Sequence, residues 1–243
     1  MPLFRLSAAL VFPPARLARA DGLLCIGGDL SCERLILAYR NGIFPWFSNE
    51  DPLLWWSPDP RLVLFPKDIH VSRSLNKAIR KQQFSIRINT AFEETIQACA
   101  QTRATESSQS GDDESQGTWL VEEMIHAYSQ LHKIGITHSV EAWCENELVG
   151  GLYGVSIGTC FFGESMFSRR RDASKVALVA LARHLESHRF RLIDCQVRTR
   201  HLESMGATQI SRRRFLDIIE TAADHPPAGN PWKPGLMPDW SGN

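Results

Sequence analysis

The chain has 243 residues, of which 43% are hydrophobic and 22% are charged, and its formal net charge is zero. These proportions are typical of a globular protein. Zero net charge excludes binding to polyanions through overall charge, so any contact with nucleic acid must come from local basic patches. No apolar run approaches the roughly 20 residues that a membrane-spanning helix needs. Pro13 and Pro14 interrupt the apolar stretch near the N-terminus, so we expect it to belong to the folded protein and not to a signal peptide.

The six cysteines are scattered, without a C-x-x-C pair or the Cys and His spacing of a zinc site. Most lie among apolar residues, which predicts reduced core cysteines in a cytoplasmic protein that holds no metal. Cys195 lies between Asp194 and Gln196, and on a strand its side chain would point away from theirs. We therefore interpret Cys195 as a core residue and not as a nucleophile.

Residues 1–60 are rich in proline, glycine and tryptophan and are predicted to form a small N-terminal domain. A turn at 27–31 and a stop signal at 41–42 predict a capped helix over Cys32–Arg40. The stretch 43–60 contains several prolines and three tryptophans but little periodicity. We predict an ordered loop there, because a solvated linker would not carry so many aromatic residues.

Residues 61–243 are predicted to form a second, larger domain. The segment 104–116 has no apolar residue after Ala104 and predicts a solvated loop. The other elements expected in the first half of this domain are a strand at 61–65, a basic helix at 72–81, a strand at 84–88, a helix at 92–100 and a helix from Thr118 to about Lys133.

The second half of this domain is predicted to contain an antiparallel meander, because short turns separate its strands. Its expected elements are strands at 137–144, 148–156 and 159–164, a long helix from Asp172 or Ser174 to about 187, a strand at 192–196 beside the meander, and short helices at 201–205 and 215–223. The tail is expected to be coil, without helix or strand. This order predicts an α+β fold with a mixed sheet, and it matches the second half of an acetyltransferase-type (GNAT) fold. Such fold-level analogy does not by itself give the chemistry.

Acetyltransferases of that type bind the pyrophosphate of CoA with a glycine-containing loop before the long helix. Here the corresponding segment, 167–175, contains three arginines and no glycine. Bulky arginines obstruct a tight backbone cradle but suit a larger polyanion. The segment therefore argues against CoA and favours a nucleic-acid donor.

Three polar side chains at predicted strand ends are candidates for chemistry. Glu164 ends its strand among apolar residues, which suits a ligand with a hydrophobic side chain and an amino group; pairing with an arginine is the alternative. Asp194 and Gln196 are two apart on one strand and are expected to share a face, where they would position an amine and assist its deprotonation. A structural hydrogen-bonded pair is the alternative there.

Basic and aromatic residues are candidates for contact with nucleic acid. Arg73, Lys77 and Arg80 lie at i, i+4 and i+7 with little acid nearby, which predicts a row of cations along one helix face. A solvated face is the alternative. Trp46 and Trp119 are by default core residues, but tryptophan also stacks on nucleobases.

Six motifs together closely resemble the leucyl/phenylalanyl-tRNA–protein transferases. They are NGIFPWF at 41–47, LWWSPDPR at 54–61, GTW at 117–119, LVGGLYGV at 148–155, GESMFS at 163–168 and LIDCQ at 192–196. The resemblance implies transfer of Leu or Phe from aminoacyl-tRNA to the N-terminal Arg or Lys of a protein, which marks that protein for degradation through the N-degron pathway. It also implies a small N-terminal domain, a GNAT-like C-terminal domain and no cofactor.

The resemblance further implies a role for each matching residue. For binding, Trp46 and Trp119 should sandwich the terminal adenosine of tRNA, Met166, Phe161 and Gly163 should form the pocket for the Leu or Phe side chain, and Arg73 and Lys77 should meet the acceptor stem. For the reaction, Glu164 should lie by the aminoacyl ester, and Gln196, oriented by Asp194, should accept a proton from the attacking amine.

Two other functions remain open from the residues alone. A CoA-dependent N-acetyltransferase fits the order of elements but lacks the glycine loop. A tRNA-binding module without catalysis fits the tryptophans and the basic helix, but it leaves Glu164, Asp194 and Gln196 unexplained.

Overall fold

A computed structural model describes residues 3–109, 121–237 and 240, and the side chains of all of these except 103–109. The strands are β1 (Phe4–Leu6), β2 (Leu23–Gly27), β3 (Phe44–Pro45), β4 (Leu54–Trp56), β5 (Arg61–Leu64), β6 (Ser85–Ile88), β7 (Thr137–Cys144), β8 (Glu147–Ile157), β9 (Cys160–Ser168), β10 (Leu192–Gln196), β11 (Thr208–Ile210) and β12 (Gly235–Leu236). The α-helices are α1 (Cys32–Arg40), α2 (Arg73–Arg80), α3 (Phe92–Gln109), α4 (Glu122–Lys133), α5 (Ala173–Ser187), α6 (Arg200–Ser204) and α7 (Arg212–Ala222). These elements confirm the predicted α+β class.

A four-stranded sheet forms in the N-terminal part, in the order β1-β2-β4-β3. The segment 43–60 was predicted to be an ordered loop without strands, and this is wrong because β3 and β4 lie within it and pair with each other. Strands of two and three residues are too short to show periodicity. Indole groups of β4 add bonds to the ends of its two neighbouring strands, since Trp55 Nε1 donates to the carbonyl of Gly27 in β2 at 2.8 Å and Trp56 Nε1 donates to the carbonyl of Trp46, next to β3, at 2.7 Å.

The larger sheet has eight strands in the order β11-β5-β10-β9-β8-β7-β6-β12. The antiparallel meander β7-β8-β9 is confirmed. The predicted strand beside it is β10, which runs parallel to β9, so the sheet is mixed as predicted. The tail was predicted to be coil, but β12 pairs with β6 and makes the last strand of the sheet.

Helices cover both faces of the larger sheet. Neighbouring residues of β8 show the division: Leu152 belongs to a core cluster with residues of α2 and α5, whereas Tyr153 belongs to a cluster with residues of α1, α3, α4 and α7. Successive side chains of a strand point to opposite faces. The small sheet packs with the second cluster, which contains Trp55 of β4.

Three predicted boundaries differ from those in the structure by four residues or more. β9 continues past Glu164 to Ser168, because it pairs with β8 on both sides of a bulge at Glu164. α3 continues to Gln109, so the part of the predicted loop from 104 to 109 is helical; a polar continuation of a helix has no periodicity that would distinguish it from a loop. The rest of that loop and Thr118 lie outside the described residues, and α4 begins at Glu122 with Val121 as its N-cap.

Candidate active site

A cavity of about 510 Å³ lies where β9 and β10 separate. The two strands pair from Leu192 beside Cys160 to Asp194 beside Phe162. β9 then continues to Ser168, whereas β10 ends at Gln196. The predicted site residues that line the cavity are Trp46, Phe161, Gly163, Glu164, Met166 and Gln196.

One wall of the cavity is apolar. Leu178 and Leu181 of α5 and Leu152 of β8 lie there with Phe161 and Met166. The sequence predicted the helix but not these wall residues, although their spacing of three places them on one helix face.

Other predicted site residues lie away from the cavity. Arg73 and Lys77 are exposed on α2 and do not belong to the cavity lining. The helix is attached by Leu75 and Ile79, which are buried in the same core cluster as α5. Trp119 lies outside the described residues.

Three side chains donate hydrogen bonds to the carboxylate of Glu164, which lies in the middle of β9 and is 6% exposed. Tyr39 OH of α1 donates to Oε1 at 2.8 Å, and Tyr128 OH of α4 donates to Oε2 at 2.9 Å. Gln196 Nε2 donates to Oε1 at 2.8 Å. Because an ionised carboxylate only accepts hydrogen bonds, the amide nitrogen of Gln196 must face it, and the amide oxygen is left for another donor.

The number of hydroxyl hydrogens around Glu164 explains why this residue can take up a proton. The hydroxyl oxygens of Tyr39 and Tyr128 are also 2.5 Å apart, so three oxygen–oxygen contacts join these two residues and Glu164. When Glu164 is ionised, the two phenols supply hydrogens for only two of these contacts; a protonated Glu164 supplies the third hydrogen and then donates to one of the two phenol oxygens. In agreement, burial raises the pKa of Glu164 to about 7, against the opposing effect of its hydrogen bonds. Burial also holds the pKa of both tyrosines well above the usual range.

Asp194 lies behind the cavity and forms an ion pair with Arg61. Both side chains are 0% exposed. The guanidinium donates from Nε to Oδ1 at 2.8 Å and from Nη2 to Oδ2 at 2.6 Å. It also lies over the rings of Phe44 and Phe215, at 4.8 and 4.4 Å from their centroids. Arg61 therefore neutralises a carboxylate that has no access to water.

A bulge in β10 changes the side-chain pattern of this strand. We predicted that Asp194 and Gln196 share a face, and this is wrong because the pairing with β5 shifts register between them. Gln196 has a φ of 61°, a conformation that is uncommon for a residue with a side chain. Asp194 Oδ1 accepts the backbone N–H of Gln196 at 3.0 Å. Asp194 thus acts on the backbone of Gln196 and does not reach the cavity.

Cys195 lines the cavity and is not a residue of the closed core. Burial, with a contribution from the charge of Asp194, holds the pKa of its thiol well above the usual range. A protonated thiol is a poor nucleophile, which agrees with the non-catalytic interpretation. Among the described residues, no group of three or more His, Cys, Asp or Glu side chains is arranged to hold a metal ion.

Tyr39, Tyr128 and Arg61 are further residues at the site that the sequence did not predict. The two tyrosines did carry a signal, because the chain has only three tyrosines and these two lie on the buried faces of amphipathic helices. A buried hydroxyl requires a hydrogen-bond partner. Arg61 belongs to one of the recognised motifs, but nothing in its surroundings along the chain indicates its partner.

Two family models match the chain. The model of the leucyl/phenylalanyl-tRNA protein transferase matches residues 63–220, and the model of the N-terminal domain of the same transferase matches residues 28–59. The chain belongs to the leucyl/phenylalanyl-tRNA protein transferase family. This membership confirms the resemblance found in the motifs and makes the chain an aminoacyltransferase.

Curated relatives in the leucyl/phenylalanyl-tRNA protein transferase family match almost the whole chain. The relative from Desulforapulum autotrophicum is 57% identical over 96% of this chain and 98% of its own length. The relative from Syntrophobacter fumaroxidans is 54% identical over 96% of both chains, and that from Nitrosomonas europaea is 53% identical over 91% of both. A solved structure of L-PGS from Bacillus licheniformis overlaps 70% of this chain and 50% of its own with a TM-score of 0.37 and 9% identity, which is too low to support an argument about the fold. In the described part of the chain, no helix is long and apolar enough to cross a membrane.

Proposed function

We propose that this enzyme transfers Leu or Phe from Leu-tRNA or Phe-tRNA to the N-terminal Arg or Lys of an acceptor protein. The product would carry a destabilising N-terminus and enter the N-degron pathway in the cytoplasm. The observation that supports the proposal is that the bonded pair Glu164 and Gln196 lines the same cavity as the apolar wall, in a chain of the leucyl/phenylalanyl-tRNA protein transferase family.

The test is a transfer assay with radiolabelled Phe-tRNA and two acceptor proteins that differ only in an N-terminal Arg or Ala. A parallel reaction contains labelled acetyl-CoA. We expect label from the tRNA on the Arg acceptor alone. Acetyl transfer without aminoacyl transfer would overturn the proposed donor.

The donor is proposed to occupy the cavity with its side chain against the apolar wall. Phe161, Gly163 and Met166 would contact that side chain, together with Leu178 and Leu181 of α5. The separation of β9 and β10 supports a GNAT-like arrangement of the larger domain, in which the acyl donor lies between two parallel strands. The two separate sheets likewise support a division into an N-terminal domain at 1–60 and a catalytic domain at 61–243.

In the proposed reaction, the α-amine of the acceptor attacks the carbonyl carbon of the aminoacyl ester, and the bond to the 3′ oxygen of tRNA breaks. The amide oxygen of Gln196 accepts a hydrogen bond from the amine and orients its lone pair. A neutral amide is a weak base, so the amine proton passes to the carboxylate of Glu164, where it restores the third hydrogen shared with Tyr39 and Tyr128. Glu164 then gives one proton to the 3′ oxygen as the tRNA leaves. No covalent enzyme intermediate is needed.

The pH dependence of the transfer rate tests whether Glu164 accepts the proton of the amine. A base acts only when deprotonated, so the rate rises as the pH increases through about 7, the pKa of Glu164. The acceptor amine, with an ordinary pKa of about 7.7–8.0, must also be neutral. Under single-turnover conditions with saturating donor, the logarithm of the wild-type rate should therefore rise with a slope near two below neutral pH. In Glu164→Gln we expect a lower rate and a slope near one; a slope of two in that variant would remove Glu164 from the reaction.

Trp46 is proposed to stack on the terminal adenine of the donor, with Trp119 as its partner on the other side. Trp46 is half-buried at the cavity, and its backbone carbonyl is held by Trp56, so truncation of the side chain keeps that hydrogen bond. For Trp46→Ala we expect the KM for aminoacyl-tRNA to rise about 5- to 150-fold, as the loss of roughly 1–3 kcal/mol of stacking implies. The kcat should change little. Trp46→Phe, which retains a ring, serves as the control, and an unchanged KM in the alanine variant would contradict stacking.

A further inference from the structure

Four cations are concentrated where β9 leads into α5. Arg169, Arg170, Arg171 and Lys175 lie in a stretch that has Asp172 as its single carboxylate. Ser168 and Ser174, within the same stretch, line the cavity. The side of the cavity at Ser168 and Ser174, here called its mouth, therefore has a strong local positive charge. The whole chain, in contrast, has a net charge of zero.

The first two of these cations are held against the protein. The Arg169 guanidinium lies 5.4 Å from the centroid of the Phe167 ring, and its Nη1 donates to the Leu148 carbonyl at 3.3 Å. Arg170 Nη1 donates to Cys144 Sγ at 2.9 Å. Neither contact neutralises a positive charge.

The other two cations extend into solvent. The side chain of Arg171 is 90% exposed and that of Lys175 is 40% exposed. Both are paired only loosely with one shared carboxylate, because Asp172 lies 3.7 Å from Arg171 and 3.6 Å from Lys175. Exposed ion pairs at such distances contribute little, so both cations are available to an anionic ligand.

These cations lie near the end of the larger sheet where the segment after the basic helix α2 enters β6. Trp143 pairs with Ser85, the first residue of β6, and the next residue, Cys144, contacts Arg170. The C-terminal end of α2, which leads into β6, therefore lies at the same end of the sheet as the arginine segment. On the cavity side, burial and the charge of Lys175 lower the pKa of His201, which lines the cavity.

We propose that Arg171 and Lys175 bind the phosphodiester backbone of the single-stranded 3′ end of the donor tRNA, between the cavity and the acceptor stem on α2. The proposal rests on the proposed function. An RNA that places its terminal ester in the cavity carries a phosphate at each of the preceding nucleotides. This part of the RNA must extend out of the cavity past its mouth. An acceptor with an N-terminal Arg or Lys is repelled by the same charges, so the cationic side of the mouth is assigned to the RNA and not to the acceptor.

The test compares three variants, each of which loses two positive charges. Arg171→Gln/Lys175→Gln removes the proposed contacts. Arg73→Gln/Lys77→Gln removes the proposed contacts to the stem. Lys133→Gln/Arg189→Gln is the control, because both residues are exposed and lie at the opposite end of the sheet, near the starts of β7 and β10. The Kd of uncharged tRNA is measured over a series of KCl concentrations, both for the intact molecule and for one that lacks its single-stranded 3′ end.

For intact tRNA, we expect Arg171→Gln/Lys175→Gln to weaken binding about 10- to 30-fold near 0.1 M salt and to reduce the salt slope by about 1.4, since each phosphate contact to a single strand contributes about 0.7. With the shortened tRNA this effect should disappear, whereas the effect of Arg73→Gln/Lys77→Gln should persist. In transfer assays the KM for charged tRNA should rise and kcat should be unchanged.

Three results would overturn the proposal while leaving the proposed function intact, provided that the wild-type protein still transfers Phe. The first is wild-type binding and salt slope in Arg171→Gln/Lys175→Gln. The second is an equal loss of binding with intact and shortened tRNA, and the third is an equal loss in the control variant. A wild-type protein that neither binds tRNA nor transfers Phe would overturn the proposed function itself.

Discussion

Gln196→Ala should lower the turnover of aminoacyl transfer by roughly 10²- to 10³-fold, which is the effect of removing one preorganised hydrogen-bonding group from an active site. The side chain has two functions that alanine cannot replace. Its amide oxygen is proposed to orient the attacking amine, and its Nε2 holds the Glu164 carboxylate at 2.8 Å. Binding of charged tRNA should be unchanged, because the apolar wall and Trp46 remain. The measurements are single-turnover transfer and tRNA binding on the same preparation.

A matched control for this variant is Gln82→Ala. Gln82 has a φ of 50°, close to the 61° of Gln196, but it is exposed in the turn after α2. The control therefore places alanine in the same left-handed backbone conformation, away from the cavity. Transfer near the wild-type rate by Gln196→Ala, with a folded and active control, would remove Gln196 from the mechanism.

The second large effect is on stability. Arg61→Ala leaves the carboxylate of Asp194 buried without its partner, and breaking a buried pair in this way costs about 3–5 kcal/mol in the free energy of unfolding. The site should also be affected, because Asp194 Oδ1 holds the backbone N–H of Gln196 in its left-handed conformation. Urea unfolding measures the change in stability, and transfer under conditions where the variant remains folded measures the effect on the site.

Two further variants separate the loss of the charge pair from the loss of side-chain packing. Arg61→Lys keeps a positive charge but not the two-pronged contact, so we expect an intermediate loss. Arg61→Ala/Asp194→Ala removes both charges and should be more stable than Arg61→Ala, because no unpaired charge is left. A wild-type unfolding midpoint in Arg61→Ala would contradict the importance of this pair.

Most of the fold was predictable where its signals are local. α1 was predicted with its observed bounds, because Ser31 caps it and residues 41–42 stop it. The meander followed from the short turns between its strands. The strands β3, β4 and β12 have two or three residues each, and such strands exist only because a neighbouring strand pairs with them.

The class of the protein, its family resemblance and the residues of β9 that line the cavity could be predicted from the sequence, because these depend on motifs and on short-range patterns. How those residues are held depends on contacts made in the folded protein. Tyr39 and Tyr128 are 125 and 36 positions away from Glu164 along the chain, and Arg61 is 133 positions away from Asp194. The bulge that turns Gln196 into the cavity depends likewise on the pairing of β10 with β5. Contacts between such distant residues arise when helices and strands pack together, and no pattern along the chain specifies them.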